Sequence, residues 1–209
     1  MADEKRELMQ RVQAALDALS DRVHAQHSYL VAQKLMRQPE FRRAKTVAIF
    51  VGYGGEVDTI SLIQAALQLG KRVAAPTTDR ERRRLVWREV TDPDAQIDLG
   101  PLGLPQPLPA CREADPTQFE LVTVPGLVWD ERGRRLTRWA GYFDRFLRLA
   151  PRALKVGLAF DLQVVEDLSA LTQETVVDVL ITDDQVRRFG LAEIRTERRL
   201  PGGPHGYKG

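Results

Sequence analysis

The stretch TVAIFVGYGGEVDTISLIQAALQLGKRVAAP, residues 46–76, changes its hydrophobic period twice. Residues 46–53 are a β-branched and aromatic run closed by Gly54-Gly55, which predicts a short buried strand. Residues 59–69 turn to helical spacing, with Asp58 or Thr59 as cap and Gly70 as stop. Residues 72–75 form a second short apolar strand, closed by Pro76. A strand, a helix and a strand in that order predict a parallel crossover, and hence an α/β protein with a parallel sheet.

The same alternation extends in both directions. Leu8, Val12, Ala15 and Leu19 fall at helical spacing, so the first twenty residues read as an amphipathic helix. Ser20 caps a second helix, with Val23, His27, Leu30, Val31 and Leu35 on one side and Pro39 as its end. The two make an N-terminal helical hairpin. Downstream, residues 83–90 read as a more exposed strand and residues 92–116, rich in Pro, Gly and Asp, as a surface excursion. Further strands are expected at 120–126, 155–160 and 176–182, and a helix at 141–149. There is no internal repeat. The expected architecture is one α/β domain over residues 1–190, an open, mostly parallel sheet flanked by helices. Past Phe189 the apolar pattern fades, and residues 191–209 read as a flexible tail.

Composition narrows the function. Hydrophobic residues are 43% of the 209, enough for a sizeable core, and net charge is only +2. Nucleic-acid binding would therefore need a local basic patch. RERRR, residues 80–84, is the one such run, and it reads either as a solvated turn or as a contact for an anionic substrate tail. No aromatic residues interleave it, so no nucleic-acid partner is expected. Cys111 is the single cysteine, which excludes an internal disulfide and a cysteine zinc site. The charged N-terminus has no apolar signal core and no apolar run has membrane-spanning length, so a cytoplasmic protein is expected. A monomer is the expected state.

Several residues are candidates for chemistry. Glu56 lies in the loop after the first strand, where open α/β sheets bind ligands. It reads as a hydrogen-bond acceptor for a polar substrate or as an acid favouring the next helix. Trp129 follows a Val-Pro-Gly turn and reads equally as a stacking wall for a flat ligand or as core. Asp144 opens a helix after the arginine-rich stretch RRLTR, residues 134–138. A carboxylate there suits magnesium beside phosphate, or merely the helix dipole. His24 and His27 share one helix face without an acidic or cysteine partner nearby in sequence, so no metal site is expected from them.

Taken in order, the motifs resemble the 5-formyltetrahydrofolate cyclo-ligase (methenyltetrahydrofolate synthetase) family. FVGYGGEVDT, GKRVAAP, GLPQP, ELVTVPGLVWDERGRRL, GYFDRFL, KVGLAFDLQ and VVDVLIT follow the family's succession, between Lys5 and Asp183. The resemblance implies ATP-dependent closure of 5-formyltetrahydrofolate to 5,10-methenyltetrahydrofolate, with ATP and Mg2+ required and a folate as the small-molecule partner. It implies that Glu56 binds the folate headgroup and that Tyr142 walls the folate or the nucleotide; Trp129, if a stacking wall, joins Glu56 and Tyr142 as substrate-binding. It further implies that Lys5, Arg138 and the amides near Gly141 meet the ATP phosphates, and that Asp144 and Asp178 hold magnesium. Arg138 and Tyr142 are then the catalytic candidates.

The sequence departs from the family pattern in three places. Met9 replaces an arginine of the first helix, and Gln173-Glu174 replaces a His-Asp or Asn-Asp pair. Thr137 and Trp139 replace two glycines of the loop Gly-x-Gly-x-Gly-Tyr-Tyr-Asp, which in the family brings backbone amides against phosphate. Retained Glu56, Arg138, Tyr142, Asp144 and Asp178 point to the ligase. The replacements point to the alternative, an inactive or diverged paralogue that keeps the fold as a folate- or anion-binding or regulatory protein.

Overall fold

The computed structural model describes residues 2–138, 141–172 and 175–189. Segment 190–209, expected to include the tail, and the pairs Trp139-Ala140 and Gln173-Glu174 lie outside the described residues. The elements in chain order are α1 (Ala2–Asp17), α2 (Asp21–Arg37), α3 (Pro39–Arg43), β1 (Thr46–Ala48), α4 (Ile60–Gln68), β2 (Arg72–Asp79) and β3 (Arg84–Val90). There follow α5 (Pro93–Gln96), β4 (Ile97–Leu99), β5 (Pro105–Pro107), β6 (Leu121–Val124), β7 (Val128–Asp130), β8 (Arg135–Leu136) and α6 (Tyr142–Leu147). The last are β9 (Leu154–Leu158), β10 (Val164–Val165), β11 (Val179–Ile181) and β12 (Val186–Arg188).

Seven strands form the main sheet in the order β12-β11-β9-β6-β1-β2-β3. The five inner strands are parallel, and β3 and β12 close the edges antiparallel. The expected open, mostly parallel α/β sheet flanked by helices is what forms. The chain leaves β1 toward β2 on one side and returns through β6 on the other. The β1/β6 junction is therefore the topological switch point, and its carboxyl ends are where such sheets bind ligands.

The helices read from the sequence all form. Ser20 caps α2, its hydroxyl accepting from Val23 N at 3.4 Å. The first helix lays Val12 and Leu16 into the core, and the second Val31 and Leu35. Leu30, expected on the inner side, is instead exposed. Pro39 ends α2 but also begins α3, because a first-turn position needs no amide donor. Pro76 does not end β2. Strand β1 pairs only as far as Ala74, so beyond it β2 runs with β3 alone and tolerates a residue without an amide hydrogen. The resulting β2–β3 arm overhangs the carboxyl end of β1.

A small second sheet, β10-β7-β8, was not read from the sequence. Its anchor is Trp129, which is fully buried. This corrects the stacking-wall expectation: the indole is core, wedged between two glycines. A Cβ at Gly157 would come within 2.6 Å of the Trp129 ring, and one at Gly126 within 2.7 Å. The ring's neighbours are backbone, so neither side can yield. Gly157→Ala is therefore expected to lower stability by about 1–3 kcal/mol, read as a reduced urea midpoint at unchanged slope. An unchanged midpoint would show that Trp129 is not held between these glycines.

Candidate functional site

The site begins where β1 leaves the sheet. Ile49 N still donates to Ala74 O (2.8 Å), but Phe50 finds no strand partner. Its amide donates instead to Thr123 Oγ1 (3.0 Å), and its carbonyl accepts from Thr59 Oγ1 (2.6 Å). The same Thr59 oxygen accepts from Gly52 N at 3.1 Å. Both threonines are fully buried, so these bonds stand in for the lost ladder and set the course of the 51–58 loop. Helix α2 holds the loop from outside. Ser28 Oγ accepts from Asp58 N at 3.0 Å, and His24 Nε2 donates to Glu56 O at 2.9 Å.

Within that loop Glu56 Oε2 accepts from Tyr53 N at 3.2 Å, and the side chain reaches a cleft over the β1/β6 junction. The cleft is partly open to solvent, with about 560 Å³ of empty space when the open part is counted. Phe50, Tyr53, Leu85, Tyr142 and Phe143 supply its apolar and flat surfaces. Its polar groups are Glu56, Thr78 and Gln106. Gln106 comes from β5, in the excursion that folds back over the cleft, and its Oε1 accepts from Thr78 N at 3.3 Å. Burial pushes the Glu56 carboxyl up to about 7, against the Tyr53 amide bond and the positive charge of Arg138. Near neutrality this group therefore exists in both forms, able to donate or accept.

A second, open depression adjoins the loop on its other side. Lys5, Arg6 and Arg138 supply its cations, and Met9 and Leu127 its apolar wall. Arg138 Nη2 donates to Gly54 O at 3.1 Å, so this guanidinium stands at the loop that separates the depression from the Glu56 cleft. Lys5 and Arg138, 133 positions apart in a chain numbered 1–209, thus face one surface.

The comparison with known proteins bears on this arrangement. The model of the 5-formyltetrahydrofolate cyclo-ligase family matches residues 1–183. The chain belongs to the 5-formyltetrahydrofolate cyclo-ligase family. It is similar to the Escherichia coli K12 5-formyltetrahydrofolate cyclo-ligase, 28% identical over 74% of this chain and 87% of that one. The Caenorhabditis elegans probable 5-formyltetrahydrofolate cyclo-ligase is 26% identical over 88% of this chain and 95% of its own. The solved structure of Aquifex aeolicus 5,10-methenyltetrahydrofolate synthetase superposes with a TM-score of 0.78, at 31% identity over 96% of both chains. Family members are ATP-dependent ligases acting on a folate. Among the described residues, no helix is long and apolar enough to cross a membrane.

Two expectations drawn from the cyclo-ligase resemblance need correction. Asp144 does not present a free carboxylate to a metal. Its Oδ2 accepts from Arg135 Nη2 at 2.9 Å and its Oδ1 from Thr175 N at 2.7 Å. Arg135 is fully buried, and a buried guanidinium demands a carboxylate partner. Asp178 lies just before β11, and its Oδ2 accepts from Lys155 N at 2.8 Å, with Lys155 Nζ 3.9 Å away. Lys155 is in register with Val122, early in β6, whereas the cleft lies past the end of that strand. No metal-type cluster of three or more acidic, histidine or cysteine side chains occurs among the described residues. These two aspartates do not fit a magnesium pair; Asp144 serves Arg135, and Asp178 the start of the sheet.

The remaining candidates fall as follows. Tyr142 lines the cleft, and the Arg145 guanidinium lies 4.9 Å from its ring centre. Gly141 keeps the left-handed conformation, φ +75°, that a side chain adopts only with strain. The arginine-rich stretch 134–138 divides its labour: Arg135 is buried beneath Pro125 and Asp144, Arg134 pairs with Asp130, and Arg138 alone of its arginines faces the depression. His24 and His27 have separate partners, Glu56 O and Asp183. Sequence reasoning missed His24, Thr59 and Thr123 as supports of the Glu56 loop. Only their placement in space marks them.

Two outcomes test these assignments. Asp144→Ala is expected to destabilise the metal-free protein by about 3 kcal/mol, because it strands buried Arg135. A metal ligand with no structural duty would leave that stability unchanged. For Glu56, the folded carboxyl titrates above its ordinary 4.5, so the fold loses stability as pH rises from 4.5 to about 7. Glu56→Gln is expected to remove that slope and to gain up to about 3 kcal/mol above pH 7, with no gain below pH 4.5. Parallel pH–stability curves for the two proteins would contradict it.

Proposed function

We propose that this chain closes 5-formyltetrahydrofolate to 5,10-methenyltetrahydrofolate at the expense of ATP, with the folate headgroup in the Glu56 cleft and the nucleotide phosphates against Lys5 and Arg138. The observation that carries the reading is Arg138, which lies between a cleft suited to a flat heterocycle and a depression lined with cations. A formyl oxygen on one side and a γ-phosphoryl group on the other would meet at this residue.

The chemistry asks little covalent work of the protein. The formyl oxygen forms a bond to the γ-phosphorus as the bond to ADP breaks. N10 of the folate then bonds to the formyl carbon, the carbon–oxygen bond breaks, and phosphate leaves. One proton is lost from N10. Arg138 and Lys5 neutralise the phosphoryl charge, and positioning supplies most of the acceleration. Glu56, poised near neutrality, hydrogen-bonds the headgroup and takes the N10 proton. The aromatic walls exclude water that would otherwise consume the activated formyl group. Magnesium, arriving with the ATP, would neutralise phosphate charge there.

The relatives compared above carry the names of the active enzyme, and no feature of the described geometry favours an inactive paralogue. The test is to supply 5-formyltetrahydrofolate, ATP and magnesium and to follow the methenyl chromophore. The wild-type protein should turn over. Arg138→Ala should lower kcat/KM for ATP by about 10–100-fold, corresponding to about 1.4–2.7 kcal/mol of lost transition-state stabilisation. Absence of turnover, together with absence of nucleotide binding by calorimetry, would sink the reading.

A further inference from the structure

The proposed reaction needs two ligands, held in separate spaces, to meet at one point. The turn Pro125-Gly126-Leu127, between β6 and β7, borders both spaces. Pro125 lines the Glu56 cleft, and Leu127 lines the cationic depression. All three residues are buried, so their carbonyls must find partners within the protein. Pro125 O accepts from Arg135 Nη1 at 3.4 Å. Gly126 O and Leu127 O both accept from one group, Gln163 Nε2, at 2.9 and 3.0 Å.

Gln163 stands in a short helical turn, Asp161–Gln163, that follows β9, and is 1% exposed. It lines neither space itself. Its Oε1 accepts from Phe160 N at 2.7 Å. The side-chain amide thus gives both hydrogens to the two carbonyls and its oxygen to the Phe160 amide. These partners also fix which end of the side chain is which, because a carbonyl only accepts and a backbone amide only donates. The anchor is shared with the opposite side of the site. The fully buried Phe160 ring packs edge-on against His24, centres 5.1 Å apart, and His24 holds Glu56 O. One residue therefore joins the turn at the border of the two spaces to the support of the Glu56 loop.

We propose that Gln163 is a positioning residue for phosphoryl transfer: by fixing the 125–127 turn it sets the separation at which the folate formyl oxygen and the γ-phosphorus are held. The proposal rests on the two-site reading above, with the headgroup in the Glu56 cleft and the phosphates against Lys5 and Arg138. Without the amide, two buried carbonyls at the shared border would lose their partner, and the turn would have to move to satisfy them. Each ligand alone would keep its contacts with Glu56, or with Lys5 and Arg138. What would suffer is the alignment of one with the other. In a transfer between two bound partners that alignment acts on kcat and is lost steeply with displacement. Asparagine is a methylene shorter, and an ionised glutamate would set an oxygen against two carbonyl oxygens.

The test uses Gln163→Met, similar in length without a donor, and Gln163→Glu, nearly identical in shape. Folate-binding sites are counted by titration with 5-formyltetrahydrofolate in the absence of ATP. Expressing kcat per site then removes any loss of folded protein. Affinity for the magnesium complex of a non-hydrolysable ATP analogue is measured separately. Gln163→Met should lower kcat per site by about 10- to 100-fold, with both dissociation constants within about threefold of wild type. Its deficit relative to wild type should not change with pH. Gln163→Glu should recover as pH falls, because a protonated carboxyl can donate to one of the two carbonyls. Unchanged kcat per site in both variants, however unstable they are, would overturn the proposal and leave Gln163 a residue of the core. So would a loss confined to affinity with kcat intact, a Gln163→Glu deficit that ignores pH, or failure of both variants to form folate-binding sites. The two-site reading fails separately. It falls if wild type turns over while Glu56→Gln leaves folate affinity, and Arg138→Ala nucleotide affinity, unchanged, whatever the Gln163 variants do.

Discussion

The geometry of the site depends on how one residue, Phe50, is hydrogen-bonded after its strand has ended. A backbone amide and carbonyl buried at the carboxyl end of β1 cannot be left unpaired, since each would cost about 1–3 kcal/mol. Thr123 from β6 and Thr59 from the cap of α4 supply the two partners. Because these hydroxyls come from different elements, the loop that follows is fixed to both the neighbouring strand and the helix behind it. Glu56 is consequently carried by a surface loop yet positioned by the core. A longer β1 would satisfy Phe50 with strand neighbours, and the chain would then run on over the junction where the cleft now opens.

Much of this fold is legible in the sequence, because the hydrophobic period changes cleanly at residues 46–76 and the same alternation recurs downstream. What is not legible has specific physical causes. The strand 46–53 was expected to be longer, since apolar β-branched residues do not reveal that threonine hydroxyls take over from the ladder. Pro76 reads as a stop, yet it stands in β2 because its neighbour β1 has already turned away. The small sheet around Trp129 is invisible locally: Gly126 and Gly157, which sandwich the indole, belong to different strands' ends and meet only in three dimensions. For the site, Glu56 follows from its place after the first strand. Lys5 and Arg138 follow only from family resemblance, because no local pattern links residues so far apart.

Asp144 shows the same ambiguity in its sharpest form. An acid in the first turn of a helix after an arginine-rich segment has one sequence appearance and three possible duties: metal ligand, dipole partner or counterion. The choice is made by Arg135, which packs beneath Pro125 with no exposure. Burying that guanidinium without a carboxylate would cost several kcal/mol. Asp144 answers that demand with one oxygen and uses the other to hold Thr175 N, so the start of α6, and Tyr142 with it, is tied to the segment that leads into β11. The Tyr142 wall of the cleft is thereby braced by a buried ion pair.

The distribution of the other arginines completes the electrostatic argument. With 31 basic and 29 acidic residues, the chain has nearly enough carboxylates to match every cation. Close to the site most are matched: Arg134 with Asp130 and Asp167, Arg135 with Asp144, Arg82 and Arg84 with Asp79, and Arg6 with Asp3. Lys5 and Arg138 make no ion pair among the described residues, although both line one depression. Arg138 acts electrostatically on Glu56, and burial keeps that carboxyl half-protonated near neutrality. Two cations beside an acid held back from ionisation form a surface that favours an anionic ligand. An anionic ligand bound near Arg138 would offset the positive charge that Glu56 feels and push the carboxyl further toward its protonated, hydrogen-bond-donating form.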